Sequence, residues 1–171
     1  MSPHLTRSRL DSPIGELILL ANTDGLVSLT WGDRSPSALA HLSRHLGTWT
    51  TEDVPSIPGV SEILEAYLSG DLHALSHITV RPPGTPFQRR VWAALRTIPS
   101  GQTWSYAQLA EAIGQPTASR AVAGANGANP IPLAIPCHRV IAANGHLGGF
   151  SAGLHRKEWL LTHEGIVPGP R

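Results

Sequence analysis

Hydrophobic and polar positions divide this chain into two differently patterned halves. Residues 15–21 and 25–31 are short aliphatic runs that lean to β-structure. Asn22-Thr23-Asp24-Gly25 between them predicts a hairpin, because Gly tolerates the positive φ of a tight turn. Ser35-Pro36 then opens a helical stretch to about Leu46, with Leu39, Leu42 and Leu46 on one face. Residues 48–59 read as a polar loop rich in Thr, Pro and Ser. A second helix follows over 61–69, with Ser61 as its N-cap and Gly70 as its stop. Ile78-Thr79-Val80 predicts a short strand. Arg81-Pro82-Pro83-Gly84 breaks the chain, so the domain boundary falls there: 1–80 is an N-terminal scaffold, 85–165 a second domain and 166–171 a tail.

The second half is mostly helical. Thr85-Pro86 places a cap and a first-turn proline ahead of a helix over 87–97, with Val91, Trp92 and Leu95 on one side and Pro99 beyond its end. Ser105-Tyr106-Ala107-Gln108 is a capping box that opens a helix over 106–113. Gly114-Gln115-Pro116 is a tight turn, and Thr117 caps a second short helix to about Asn126. Two short helices joined by a Gly-containing turn make a helix-turn-helix pattern, which any αα-corner also fits. Arg120-Ala121-Val122-Ala123-Gly124-Ala125 carries one long cation and little bulk. It reads either as a smooth surface with one probe or as a buried helix with Arg120 at its solvent edge. Residues 140–143 are strand-like, Asn144-Gly145 is a turn, and residues 148–153 form a Gly-rich segment holding Phe150. The last helix, over 156–164, has Trp159 and Leu160 on its apolar side and stops at Gly165. Helix–turn–helix plus a short hairpin resembles a winged helix.

Composition narrows the picture only a little. The 171 residues are 41% hydrophobic and 15% charged, an ordinary globular balance. Gly 17 and Pro 15 are scattered without a period. The N-terminal stretch lacks the apolar core of a signal peptide, and the run Leu17–Ala21 is too short to span a bilayer, so a reducing cytosol is the expected compartment. The single Cys rules out an internal disulfide and a multi-thiolate zinc site. The net charge of +1 conceals a division: residues 1–80 carry −5 and residues 81–171 carry +6. That asymmetry points to a polyanion at the C-terminal half, or to attraction between the halves.

The chemistry centres on Cys137, in Ile135-Pro136-Cys137-His138-Arg139-Val140. Only the thiolate is a strong nucleophile, and a free thiol with pKa near 8.5 is mostly protonated at neutral pH. An adjacent imidazole can accept its proton, and a carboxylate behind the imidazole would fix its tautomer. The basic half offers Glu111, Glu158 and Glu164. Glu164 ends a helix, where the dipole disfavours negative charge, so a His⁺ partner would account for it. Taken alone, the Cys-His pair fits equally well a buried structural thiol.

Asn129-Pro130, the Pro136-Cys137-His138-Arg139-Val140 run, Ser151-Ala152-Gly153-Leu154, Lys157-Glu158-Trp159-Leu160-Leu161 and His163-Glu164-Gly165 resemble the O6-alkylguanine-DNA alkyltransferases. Ser105–Ala110, Ser119–Val122 and, more loosely, Ser12-Pro13-Ile14-Gly15 support the resemblance. It implies an α+β fold: a ribonuclease H-like N-terminal α/β domain with an antiparallel hairpin, and a winged-helix-like, mostly helical C-terminal domain containing the helix-turn-helix. It implies a stoichiometric DNA repair protein, a methylated-DNA–protein-cysteine methyltransferase without metal or cofactor. On that resemblance Cys137 accepts the alkyl group from O6-alkylguanine, or O4-alkylthymine, in one irreversible displacement. His138 takes the thiol proton through a water, and Glu164 orients the imidazole. Asn129 holds the active-site segment and Tyr106 donates to the guanine ring. Val140 and Ser151 read the base edge through backbone atoms, while Phe150 lines the pocket where some members carry Tyr. Arg120 enters the stack vacated by the flipped base. Ser105, Ala121, Ala123 and Gly124 approach the minor groove of double-stranded DNA. The resemblance implies a monomer, with side-by-side clustering on DNA left open. Two rival readings stand beside it: a Cys-His-Glu hydrolase with turnover, and a DNA-binding regulator or lesion sensor whose cysteine is structural.

Overall fold

The computed structural model describes residues 2–171. The chain divides into two compact units, Met1–Gly84 and Thr85–Arg171.

In the first unit, β1 (His4–Leu10), β2 (Leu17–Asn22), β3 (Gly25–Trp31) and β4 (Thr50–Asp53) form one sheet in the order β3-β2-β1-β4. β1–β2 and β2–β3 are antiparallel, while β4 joins β1 in parallel after a crossover through α1 (Ser35–Leu46). The predicted hairpin forms. Asn22 Oδ1 accepts from the N–H groups of Asp24 and Gly25 at 2.8 and 3.1 Å, a turn stabilised by its own side chain. Leu42 of α1 packs with Leu5, Leu20 and Val27, and Leu46 and Trp49 border that cluster. α2 (Ser61–Leu68) buries Leu64 and Tyr67.

Several expectations for this unit are corrected. The polar loop over 48–59 contains β4, whose four residues are all exposed. An edge strand with no buried face leaves no alternation to read. β1 was hidden for a related reason: its inward positions include Ser8, fully covered with its hydroxyl on the Pro55 carbonyl. Leu39 does not share the buried face of α1 but is 45% exposed. Ser61 is the first helical residue, not the cap; its hydroxyl accepts from Ile57 N–H. Residues 78–80 make only a single parallel bridge, Val80 to Leu26, rather than a strand.

The second unit holds α3 (Pro86–Leu95), α4 (Tyr106–Ala112), α5 (Ser119–Gly127) and α6 (Leu154–His163), with β5 (Trp104–Ser105) parallel to β6 (Val140–Ile141). The Ser105–Gln108 capping box forms as the sequence predicts, and Thr85 is the expected cap of α3, where the structure adds a second capping box with Gln88. Thr117 is not the cap of α5: Ala118 holds that position without a side-chain bond. The hairpin after Cys137 is reduced to a tight turn, closed by Gly145 N–H on Ala142 O and Ala142 N–H on His146 O. α6 begins two residues earlier than its pattern suggests. Trp159 is only half-buried and stacks on His163, while Leu160 and Leu161 form the apolar face.

Candidate active site

The segment before the cysteine is built from turns that its prolines and asparagine dictate. Asn129 Oδ1 accepts from Ile131 N–H at 2.9 Å and its amide donates to Ile135 O at 2.7 Å, so one side chain spans the whole bend. Inside the bend Leu133 has φ +72° and Ala134 N–H closes on Pro132 O, a positive-φ γ-turn of the strained kind. Pro136, at φ −79° and ψ 65°, centres an inverse γ-turn that Cys137 N–H closes on Ile135 O at 2.8 Å. Proline fixes φ in that range, so the residue before the thiol also sets the direction of the chain at Cys137. A single 3₁₀ turn, Cys137–Arg139, then carries the thiol, the imidazole and a guanidinium in succession.

Cys137 is 5% exposed. Burial pushes its pKa up to about 11, against the opposing pull of a hydrogen bond from Asn129 and the charge of Lys157. His138 and the Glu164 carboxylate are fully buried, with Nε2 to Oε2 at 2.8 Å. Nε2 therefore carries the proton, and the lone pair lies on Nδ1, which is buried without a hydrogen-bond partner among the described residues.

The expected pairing of Glu164 with His138 forms, but the imidazole is neutral and the positive charge on the carboxylate comes from Arg139. Arg139, to which the sequence alone assigns no role, grips the carboxylate in two-pronged fashion, Nε to Oε1 at 2.8 Å and Nη2 to Oε2 at 2.9 Å. Its Nη1 donates to Ile98 O at 2.8 Å. Burial alone would raise the Glu164 carboxyl, but the bonds and charges of His138 and Arg139 hold it well below the usual range. His138 itself is lowered, chiefly by burial and against the pull of Glu164, so the resting pair is a thiol and a neutral imidazole.

Lys157 also went unassigned. It is the only lysine among 13 Lys and Arg residues, and it is fully buried. Its three ammonium donors meet three carbonyls: Val140 at 2.6 Å, Leu147 at 2.5 Å and Gly149 at 3.1 Å. Burial brings its pKa down to about 8, partly offset by Cys137. A compact ammonium fits three converging acceptors, whereas a planar guanidinium does not. A chain that uses Arg everywhere else and keeps one Lys gave the available signal.

Tyr106, at the start of α4, is half-buried and faces the same thiol; its pKa is raised by burial and by Cys137, and lowered by the backbone N–H of Gly149. Gly148 packs so closely that a Cβ there would stand 3.1 Å from the Tyr106 hydroxyl. Phe150 is half-buried and Ser151 exposed in the turn that follows. The Val140 carbonyl already accepts from Lys157, leaving one lone pair for another donor. On α5, Val122, Ala125 and Asn126 are buried, while Arg120, Ala121 and Gly124 are exposed and Ala123 is half-exposed. Trp92 anchors the helix from beneath through Nε1 to Ala125 O at 2.8 Å. Ser105 is committed to its cap, accepting from Gln108 N–H at 3.1 Å. Among the described residues no cluster of three or more His, Cys, Asp or Glu could hold a metal ion, and no helix is long and apolar enough to cross a membrane.

Residues 86–166 match the family model of the 6-O-methylguanine DNA methyltransferase DNA binding domain, and residues 5–82 match that of its ribonuclease-like domain. A methylated-DNA–protein-cysteine methyltransferase of Shigella flexneri is 41% identical over 95% of this chain and 97% of its own. One from Mycolicibacterium paratuberculosis is 45% identical over 91% and 89%. Among solved structures, Mycobacterium tuberculosis OGT in complex with DNA superimposes with a TM-score of 0.80 at 40% identity, covering 96% of both chains. The chain belongs to the methylated-DNA–protein-cysteine methyltransferase family, as its motifs implied.

Two outcomes follow from the charges of this site. The unfolded chain takes up a proton at His138 that the folded chain refuses, so stability falls as pH drops below about 6.5, and Glu164 adds a further loss below about 4.5. Urea midpoints followed from neutral pH to about 5 should show this decline, and His138→Asn should flatten it. Lys157→Arg should impair alkyl transfer about as severely as Lys157→Met, because charge alone does not satisfy three converging carbonyls. Single-turnover rates of the two variants check this; near-normal transfer by Lys157→Arg would refute it.

Proposed function

We propose that this protein repairs alkylated DNA by moving the alkyl group from O6 of guanine onto Sγ of its own Cys137. The observation that carries the proposal is the convergence of Asn129, Lys157 and Tyr106 on a buried thiol whose neighbour His138 is oriented by Glu164. The guanine is flipped out of the duplex, at an unstacking cost of a few kcal/mol. The thiol proton passes to Nδ1 of His138, the nitrogen left basic by the Nε2–Glu164 bond. The S–C bond then forms as the C–O bond breaks, and the electron pair stays on guanine. Tyr106, whose oxygen is already held by Gly149 N–H, donates its own hydrogen towards the departing base. The carbonyl of Val140 and the amide of Ser151 read the base edge, and Phe150 walls the pocket.

The raised pKa of the thiol and the neutral imidazole suit a protein that reacts once. A thiolate exposed at all times would meet electrophiles other than DNA, whereas a buried thiol waits for the base that completes the site. The thioether that forms has no leaving group to release it, so each molecule acts a single time. Outside the pocket, the small residues Ala121, Ala123 and Gly124, exposed or half-exposed, let α5 approach the minor groove of double-stranded DNA, with Ser105 beside the groove. Arg120, exposed on the first turn and with no hydrogen bond or ion pair among the described residues, fills the gap left in the stack. Phosphate contacts supply most of the affinity, which falls with salt. The protein acts as a monomer in the cytoplasm, where its thiol stays reduced, and needs no cofactor.

Incubation with duplex DNA containing O6-methylguanine, followed by intact-mass measurement, should show one added methylene per chain, located at Cys137 by peptide mapping. Unmodified protein despite demonstrated lesion binding would overturn the proposal, and continued release of product would identify a turnover hydrolase. Arg120→Ala should slow transfer from the duplex more than transfer from free O6-benzylguanine; equal slowing of both would remove the finger role.

A further inference from the structure

The last residues of the chain lie on the loop that furnishes the pocket. Just past α6, Gly165 takes φ +84° and Ile166 N–H closes on Leu161 O at 2.9 Å. From there Val167-Pro168-Gly169-Pro170-Arg171 returns over residues 142–149. The Pro170 carbonyl accepts Leu147 N–H at 2.9 Å. Gly169 meets Gly145 backbone to backbone, so closely that any side chain at 169 would overlap the Gly145 carbonyl. Arg171 pairs with Glu158 of α6, Nε to Oε1 at 2.5 Å.

This segment is chemically suited to be laid down as a strap. Pro168 and Pro170 have fixed φ and no N–H, so the strip is stiff and offers carbonyls only. Glycine between them lets two backbones touch. The residue it holds is gripped from both sides: Leu147 is fully buried, its N–H on Pro170 and its carbonyl on the Lys157 ammonium. A buried backbone group left unpaired is destabilising, so both bonds hold Leu147 in place. Immediately after Leu147 come Gly148, packed against the Tyr106 hydroxyl, and Gly149, whose N–H bonds that hydroxyl and whose carbonyl bonds Lys157. The exposed Arg171–Glu158 pair adds little by itself. The hold comes from Leu147 and from the Gly169–Gly145 contact.

We propose that residues 168–171 are a positioning strap of the reactive pocket: by seating Leu147 they keep Gly148 and Gly149 against Tyr106, and so keep the phenol aimed at the base. The role in transfer rests on the reading of Cys137 as the alkyl acceptor; the hold on Leu147 does not.

The test is Gly169→Val in the full-length chain, which drives the strap off Gly145 without touching the site, with Arg171→Ala as a milder companion. Hydrogen exchange at the Leu147 amide should accelerate at least roughly tenfold in Gly169→Val. The single-turnover transfer rate at saturating O6-methylguanine duplex should fall by about tenfold, with duplex affinity within about twofold of the parent. The Tyr106 phenol should titrate at a changed pH by ultraviolet difference spectroscopy, a signal that mere loss of stability would not produce. Arg171→Ala should move these readouts in the same direction and by less. Unchanged Leu147 exchange would overturn the strap. Faster exchange with unchanged transfer and Tyr106 titration would overturn its positioning role. If the parent protein transfers nothing, the function proposed for Cys137 fails, while exchange at Leu147 and the Tyr106 titration still decide for or against the strap.

Discussion

The catalytic unit depends on one buried carboxylate. Glu164 sits at the C-terminal end of α6, where the helix dipole repels it, and away from water, which would otherwise stabilise it. It persists as an anion because Arg139 and His138 surround it with charge-assisted bonds. Those bonds tie the reactive turn to the end of α6, and Arg139 Nη1 ties it also to the loop after α3 through the Ile98 carbonyl. A buried network of this kind is weak evidence for net stability, since its desolvation offsets much of its attraction. Its contribution here is geometric: removing either partner leaves a charge that nothing else can satisfy, so the turn has one arrangement.

That arrangement separates two tasks often given to one pair. Arg139 neutralises the carboxylate, and His138 is left neutral with its free nitrogen facing away from Glu164. The positive charge felt by the thiol comes instead from Lys157, across the loop. The proton acceptor of the proposed reaction and the electrostatic partner of the thiol are therefore different residues on different elements. Lys157 binds the carbonyls of residues 140, 147 and 149, so the charge that acts on Cys137 also determines how the loop is folded.

Much of this was legible in the sequence, and the exceptions have physical reasons. The cap at Thr85, the capping box at Ser105, the Asn22–Gly25 turn and the bounds of α1 were readable because each depends on near neighbours in the chain. β4 and β1 were not, since an exposed edge strand and a strand that buries a serine carry no apolar alternation. The Cys-His-Glu constellation was found from motif and dipole reasoning. Its electrostatics were hidden because nothing local in the sequence marks Arg139 and Lys157 as buried, which only tertiary folding brings about. Thr117 and Ser61 looked like caps because their residue type fits; the chain used the neighbouring positions Ala118 and Val60 instead.

The solitary lysine has a consequence outside catalysis. Every other basic side chain is Arg or His, so the only primary amine borne on a side chain is sealed inside the second unit. Reagents and enzymes that attach groups to lysine, whether a fluorescent ester, an acetyl group or a degradation tag, find no lysine on the folded surface. They reach one only when the loop over Lys157 opens. Amine modification of Lys157 thus reports opening of the catalytic unit rather than the surface of the native molecule.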